Sequence, residues 1–153
     1  MTRTARRPLA AAVLGAAALV TTGCALGTPV QTLEPYSASD GIRVEVTELV
    51  RGENLMILTE EQGAEGVLLG ALVNDTTEDV EFSLIVADER VSVRVPARER
   101  VALGVDDDVE LAAVPDAPGS VTQATISTAT HGAVTAPVPV LDGTLSGYAE
   151  FVP

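Results

Sequence analysis

Few side chains in this sequence can do covalent or coordination chemistry. Cys24 is the only cysteine, His131 the only histidine, and Met56 the one methionine besides Met1. A lone cysteine closes no internal disulfide, so its thiol acts either as a nucleophile or as the acceptor of a modification. A serine nucleophile needs a histidine base beside it, and no serine motif surrounds Thr130-His131-Gly132. Soft copper(I) sites use methionine and histidine, and one of each cannot assemble a full site within one chain. Met56 lies in an apolar run and reads as core filler. Carboxylates are abundant instead. Asp106, Asp107, Asp108 and Glu110 crowd together, and so do Asp75, Glu78 and Asp79. Calcium takes about six to eight oxygens, which makes the cluster at 106–110 the candidate cation loop. It lacks the alternating acids and central glycine of an EF-hand, and solvated turns are the simpler reading. Paired carboxylates for glycoside hydrolysis need a cleft that nothing here marks, and the absence of tryptophan leaves little for sugar stacking. The residues predict no catalytic centre, no cofactor and no enzyme.

The meaning of Cys24 comes from what precedes it. Arg3, Arg6 and Arg7 form a positive start, and Leu9 to Val20 is an apolar run. That run is too short for a spanning helix, which takes about 20 residues, and fits the apolar region of a signal peptide. Val20-Thr21-Thr22-Gly23-Cys24 resembles a bacterial lipobox, with Val20 one place further from the cysteine than the pattern's usual apolar residue. The expectation is that residues 1–23 are a removed leader and that Cys24 is lipidated as the new N-terminus. Each buried methylene contributes roughly 0.8 kcal/mol, so one chain holds reversibly and two hold firmly. The predicted location is the outer, extracytoplasmic face of the cell membrane, with membrane lipid as the first partner. Arg6-Arg7 lacks the rest of a twin-arginine motif, so Sec export is expected.

Behind the leader the chain is strongly acidic. Six arginines face 22 acids after Cys24, a formal charge of −16, and there is no lysine. This argues against nucleic-acid binding, which needs a basic patch, and against an electrostatic grip on anionic lipids. Solubility at an envelope surface accounts for it. The roughly 110 residues left after a tether suffice for one self-supporting domain.

The elements that must position anything are short strands. Residues 24–40 are a tether with Pro29 and Pro35, closed by Asp40-Gly41. Ile42, Val44 and Val46 then alternate with polar residues. Arg51 to Asn54 predicts a break before a short strand at 55–58. Val67 to Val73 is almost wholly apolar and predicts a strand covered on both faces, with Gly70 at a close approach or bulge. Val80–Val86 and Val91–Val95 alternate again. Short strands are expected at 101–103 and 109–114, and longer ones at 121–130 and 133–140. His131-Gly132 predicts a two-residue hairpin loop, and Pro137 with Pro139 an edge strand. No 3.6-residue period is sustained, and turn signals recur every 8–12 residues or so. The expected fold is all-β, an Ig-like or cupredoxin-like Greek-key sandwich of about seven or eight strands over residues 41–148, with a tail at 149–153. Phe82 is its one large central aromatic.

The ordered pieces Tyr36-Ser37-Ala38-Ser39-Asp40-Gly41, Gly66 to Asn74, Val95-Pro96, Val101 to Gly104, Pro118-Gly119 and Pro137 to Leu141 give the chain a likeness across most of its length. It is similar to the small actinobacterial lipoproteins of the LpqE type, and more distantly resembles the PCuAC-type copper chaperones, without their spaced methionine and histidine ligands. The first resemblance implies an exported sandwich lipoprotein and an accessory role beside membrane complexes. The resulting expectation is a non-catalytic binding or scaffolding module with an envelope or membrane protein as its partner. The alternative is a carrier of a small ligand or of a copper or calcium ion.

Overall fold

A computed structural model describes residues 39–86, 88–145 and 147–153. The leader, Cys24 and the tether through residue 38 lie outside the described residues. Those described hold nine strands and no helix. In chain order they are β1 (Ile42–Thr47), β2 (Val50–Thr59), β3 (Gly66–Asn74), β4 (Val80–Val86), β5 (Glu89–Val95), β6 (Glu99–Leu103), β7 (Val109–Leu111), β8 (Val121–Thr128) and β9 (Gly132–Leu141). The fold is the expected β-sandwich, with nine strands where about seven or eight were expected.

One layer is β1, β2 and β3, with β6 and β7 following one another along the far edge of β3. The other runs β5, β4, β8, β9, all antiparallel. At its end β9 crosses to the first layer, where Val140 and Leu141 pair in parallel with Ile57 and Leu58 of β2. The β4–β8 and β9–β2 neighbours are thus non-consecutive in sequence, as a Greek-key connection requires.

The residue patterns explain the layers. In β4, Val80, Phe82, Leu84 and Val86 are buried while Glu81 faces out. In β8, Thr122, Ala124, Ile126 and Thr128 point inward. Alternation suits a sheet with one face in the core and one in water. In β2 and β3 both faces are apolar. Leu55, Ile57, Leu68 and Leu72 join the main core. Met56, Leu58, Val67 and Leu69 form a second cluster, against which Leu141, Tyr148, Phe151 and Val152 pack. The apolar run at 67–73 is therefore covered on both sides, and the outer cover is the chain's own last turn.

Three local expectations need correction, and a fourth holds in part. Arg51 to Asn54 do not end a strand; they belong to β2, which carries a bulge between Glu53 and Met56 in its pairing with β3. Asn54 takes the left-handed conformation there, with φ of 52°, one that asparagine tolerates better than most residues. Its Oδ1 accepts from Gly41 N at 3.0 Å and from the Ser39 hydroxyl, which fastens the start of the domain to the bulge. The strand expected at 109–114 stops at Leu111. The Val121 hairpin has three residues between its last pair, Thr128 and Gly132, and Gly132 rather than His131 takes positive φ, at 102°. Finally, β9 is an edge strand over residues 132–139, which pair with β8 alone, and becomes interior only where Val140 and Leu141 also pair with β2. Its prolines fit because Val140 N points to β8, bonding Ser120 O at 3.0 Å. Pro137 and Pro139 then turn their donor-less nitrogens to the opposite side, where only residues 140 and 141 pair.

Gly70 and the bulge require one another. A Cβ on Gly70 would stand 2.7 Å from Asn54 O and 2.8 Å from Glu53 O, and its φ is +133°. Gly70→Ala is expected to cost at least about 2 kcal/mol through backbone strain and overpacking. A chemical-denaturation midpoint unchanged from the parent contradicts this. Asn74 is the main buried polar side chain and is satisfied at every turn. Its amide donates to Glu78 O at 2.8 Å, Pro96 O at 3.0 Å and Val95 O at 3.1 Å, and its Oδ1 accepts from Thr76 N at 3.0 Å. It ties the loop after β3 to the end of β5.

Candidate functional site

The residues that could ligate a metal do not meet. Met56 is 1% exposed inside the second cluster. His131 sits in the β8–β9 hairpin, where its N–H donates to Thr128 Oγ1 at 3.0 Å and its Nδ1 lies 2.8 Å from Thr130 Oγ1. Met56 adjoins Ile57, which pairs with Val140. From Val140 back to His131 is nearly the whole of β9, about 30 Å of extended chain. No single ion spans that.

The acidic clusters are mostly occupied by the chain itself. Asp75 Oδ2 holds Arg51 Nη1 at 2.6 Å, and Glu53 Oε1 takes the same guanidinium at 2.7 Å. Asp79 accepts from Arg94 at 2.6 Å and Ala97 N at 3.0 Å, and these bonds hold its carboxyl below the usual carboxylate range. Asp106 Oδ2 turns back onto Ala102 N at 2.9 Å, capping its own loop. Asp107 contributes its backbone, whose carbonyl accepts from Gly104 N at 2.8 Å. Among the described residues, no three histidine, cysteine or acidic side chains are grouped so as to hold a metal ion.

The candidate site lies instead where β6 and β7 part. Leu103 still pairs with Gly70, and Val109 with Leu68. Between them the chain bows away from β3, and Val105 at the bow is 73% exposed. The last residues of the chain run opposite. The two rims enclose an open groove of about 550 Å³ lined by Val67, Gly104, Val105, Asp108, Glu110, Glu150, Phe151, Val152 and Pro153. Its apolar lining residues are Val67, Val105, Phe151, Val152 and Pro153, and its polar side chains are all carboxylates. A second cleft of about 340 Å³ shares Glu110 and Pro153 and adds Glu65, Gly66, Glu89, Leu111 and Ala112. No arginine lines either cleft. Of the four residues 106, 107, 108 and 110 singled out in the sequence, Asp108 and Glu110 face the groove. The contribution of residues 150–153 was hidden, because they are some forty positions away in the chain and only packing brings them near.

The groove depends on the strap that forms its far wall. Phe151 and Val152 pack on the apolar outer face of β2 and β3. Phe151 N bonds Tyr148 O at 3.0 Å, and Tyr148 N bonds Leu145 O at 2.9 Å. Tyr148 then donates its hydroxyl to Asp40 Oδ2 at 2.7 Å, joining the strap to the start of the domain. That bond, with burial and the nearby negative charge, raises the Tyr148 hydroxyl above its usual value of 10.0. A phenol with a raised folded-state value contributes stability that is fully present below about pH 10 and lost as pH climbs through the folded value. Tyr148→Phe is therefore expected to cost about 0.5–1.5 kcal/mol at neutral pH and to remove this part of the alkaline loss. Denaturation at pH 7 and above pH 10 checks both, and an unaltered pH profile refutes the latch.

No family model and no curated protein matches the chain. Among solved structures it is similar to a copper-bound PCuAC domain from PmoF2, at 17% sequence identity and a TM-score of 0.49, over 61% of this chain and 93% of that one.

Proposed function

We propose that this chain is a membrane-anchored binding module, an acidic sandwich held by lipidated Cys24 that docks a protein partner at the outer membrane face and catalyses nothing. The observation that carries the reading is the open groove between the β6–β7 bow and the C-terminal strap, with its mixed apolar lining, its exposed Val105 and its carboxylates. A groove open along its length and rimmed by carboxylates suits an extended protein segment better than an enclosed small molecule. The leader, the lipobox-like Val20 to Cys24 and the ordered likeness to LpqE-type lipoproteins support the anchored setting. The carrier alternative draws on the acidic loops and on Met56 and His131, and the separation of those two ligands weighs against copper. Affinity purification from detergent-solubilised membranes tests the proposal. Integral membrane proteins recovered in stoichiometric amount support it. A lone chain carrying metal by elemental analysis overturns it in favour of the carrier.

A further inference from the structure

Resting on that binding-module reading, we propose that the groove takes an extended segment of the partner in which arginine or lysine flanks a branched apolar residue. Complementarity argues this. Phe151, Val152 and Pro153 keep part of their apolar surface in water beside the groove, and Val105 stands 73% exposed across from them. An apolar side chain entering there removes that surface from water. Around it are Asp108, Glu110 and Glu150, and no cation lines the groove.

The arrangement contrasts with the rest of the acidic surface. Asp75 and Asp79 already hold Arg51 and Arg94 at 2.6 Å, so an incoming cation there must displace a guanidinium. At the groove it displaces none. The adjoining cleft continues the same pattern with Glu65, which lengthens the acidic track along the edge and favours an extended segment over a single side chain. An acidic rim also speeds encounter with a basic partner and makes it salt-dependent. Glu89 lines that cleft too, with its Oε1 accepting from Ala112 N at 2.9 Å.

The experiment is a fluorescence-anisotropy titration of the full chain in detergent with a short labelled peptide of alternating arginine and valine. A peptide with glutamate for arginine serves as the comparison. The expected result is saturable binding of the arginine peptide only, weakened by raised salt. The triple variant Asp108→Asn, Glu110→Gln, Glu150→Gln weakens it at least about tenfold, and Val105→Ser weakens it by a smaller factor. A charge-matched control, Glu48→Gln, Glu81→Gln, Glu99→Gln, removes exposed carboxylates from the β1–β2 turn, the β4 outer face and the start of β6. It should stay within about twofold of the parent. Absence of binding, or equal weakening by the control, overturns the proposal. Thermal melts show that each variant folds. The membrane purification separates the two readings. A partner retained in full by the groove variant leaves the binding module standing and sinks the groove as its site. A parent chain that recovers no partner sinks the binding module itself.

Discussion

Phe82→Ala is expected to lower the unfolding free energy by about 3–5 kcal/mol, the range for emptying a buried aromatic site. Phe82 is 0% exposed. It lies in β4, paired with Val93 on one side and Thr128 on the other, so its ring stands in the middle of the second layer. The chain has only two phenylalanines and no tryptophan, and the other, Phe151, belongs to the strap on the far side of the first layer. The main core around Phe82 is otherwise built from valine, leucine, isoleucine and alanine, none of which can swing in to fill the space. A domain of this kind has roughly 5–15 kcal/mol in total, so the loss is a large share of it. Phe82→Leu keeps much of the volume and should cost far less. Urea denaturation of the two variants decides. A loss below about 1 kcal/mol for alanine contradicts the packing around this ring.

Cys24→Ala is expected to abolish lipid attachment, and its effect on location should be nearly complete. Without the thiol there is no diacylglycerol, and without two acyl chains there is nothing to hold an acidic domain against an anionic surface. The formal charge of −16 after the leader repels rather than supplements. The variant should appear in the soluble fraction, or stay as an uncleaved precursor that takes up no labelled palmitate. Membrane retention with undiminished palmitate labelling contradicts the lipid assignment. The same fractionation with raised salt should leave the parent on the membrane, since acyl anchoring is not screened.

The sandwich was legible because its patterns are local. Val80 to Val86 alternates, so it must have one wet face. Val67 to Val73 does not alternate, so it must have none. What covered the second face was not legible. Tyr148, Phe151 and Val152 are three apolar residues in an otherwise small and polar stretch, and their destination on Met56, Leu58, Val67 and Leu69 is a contact across most of the domain. Arg51 to Asn54 misled for a physical reason. Glycine and asparagine within a strand signal either an end or a bulge, and the choice rests on Gly70 of the neighbouring strand, whose missing Cβ makes room for the carbonyls of Glu53 and Asn54. Pro137 and Pro139 did mark the stretch of β9 with an unpaired side, and only the crossing of Val140 and Leu141 to β2 was not legible. The groove itself was half visible, since Asp108 and Glu110 stand out in the sequence, whereas Glu150 and Phe151 join them only through the strap.

The most direct test of the anchored binding module is the mass of the native particle. The chain is purified from membranes in mild detergent and weighed intact by mass spectrometry. The expected particle exceeds one chain of residues 24–153 with its lipid by the mass of at least one membrane protein, in fixed ratio. A particle of one lipidated chain alone, with or without a bound metal ion, contradicts the account.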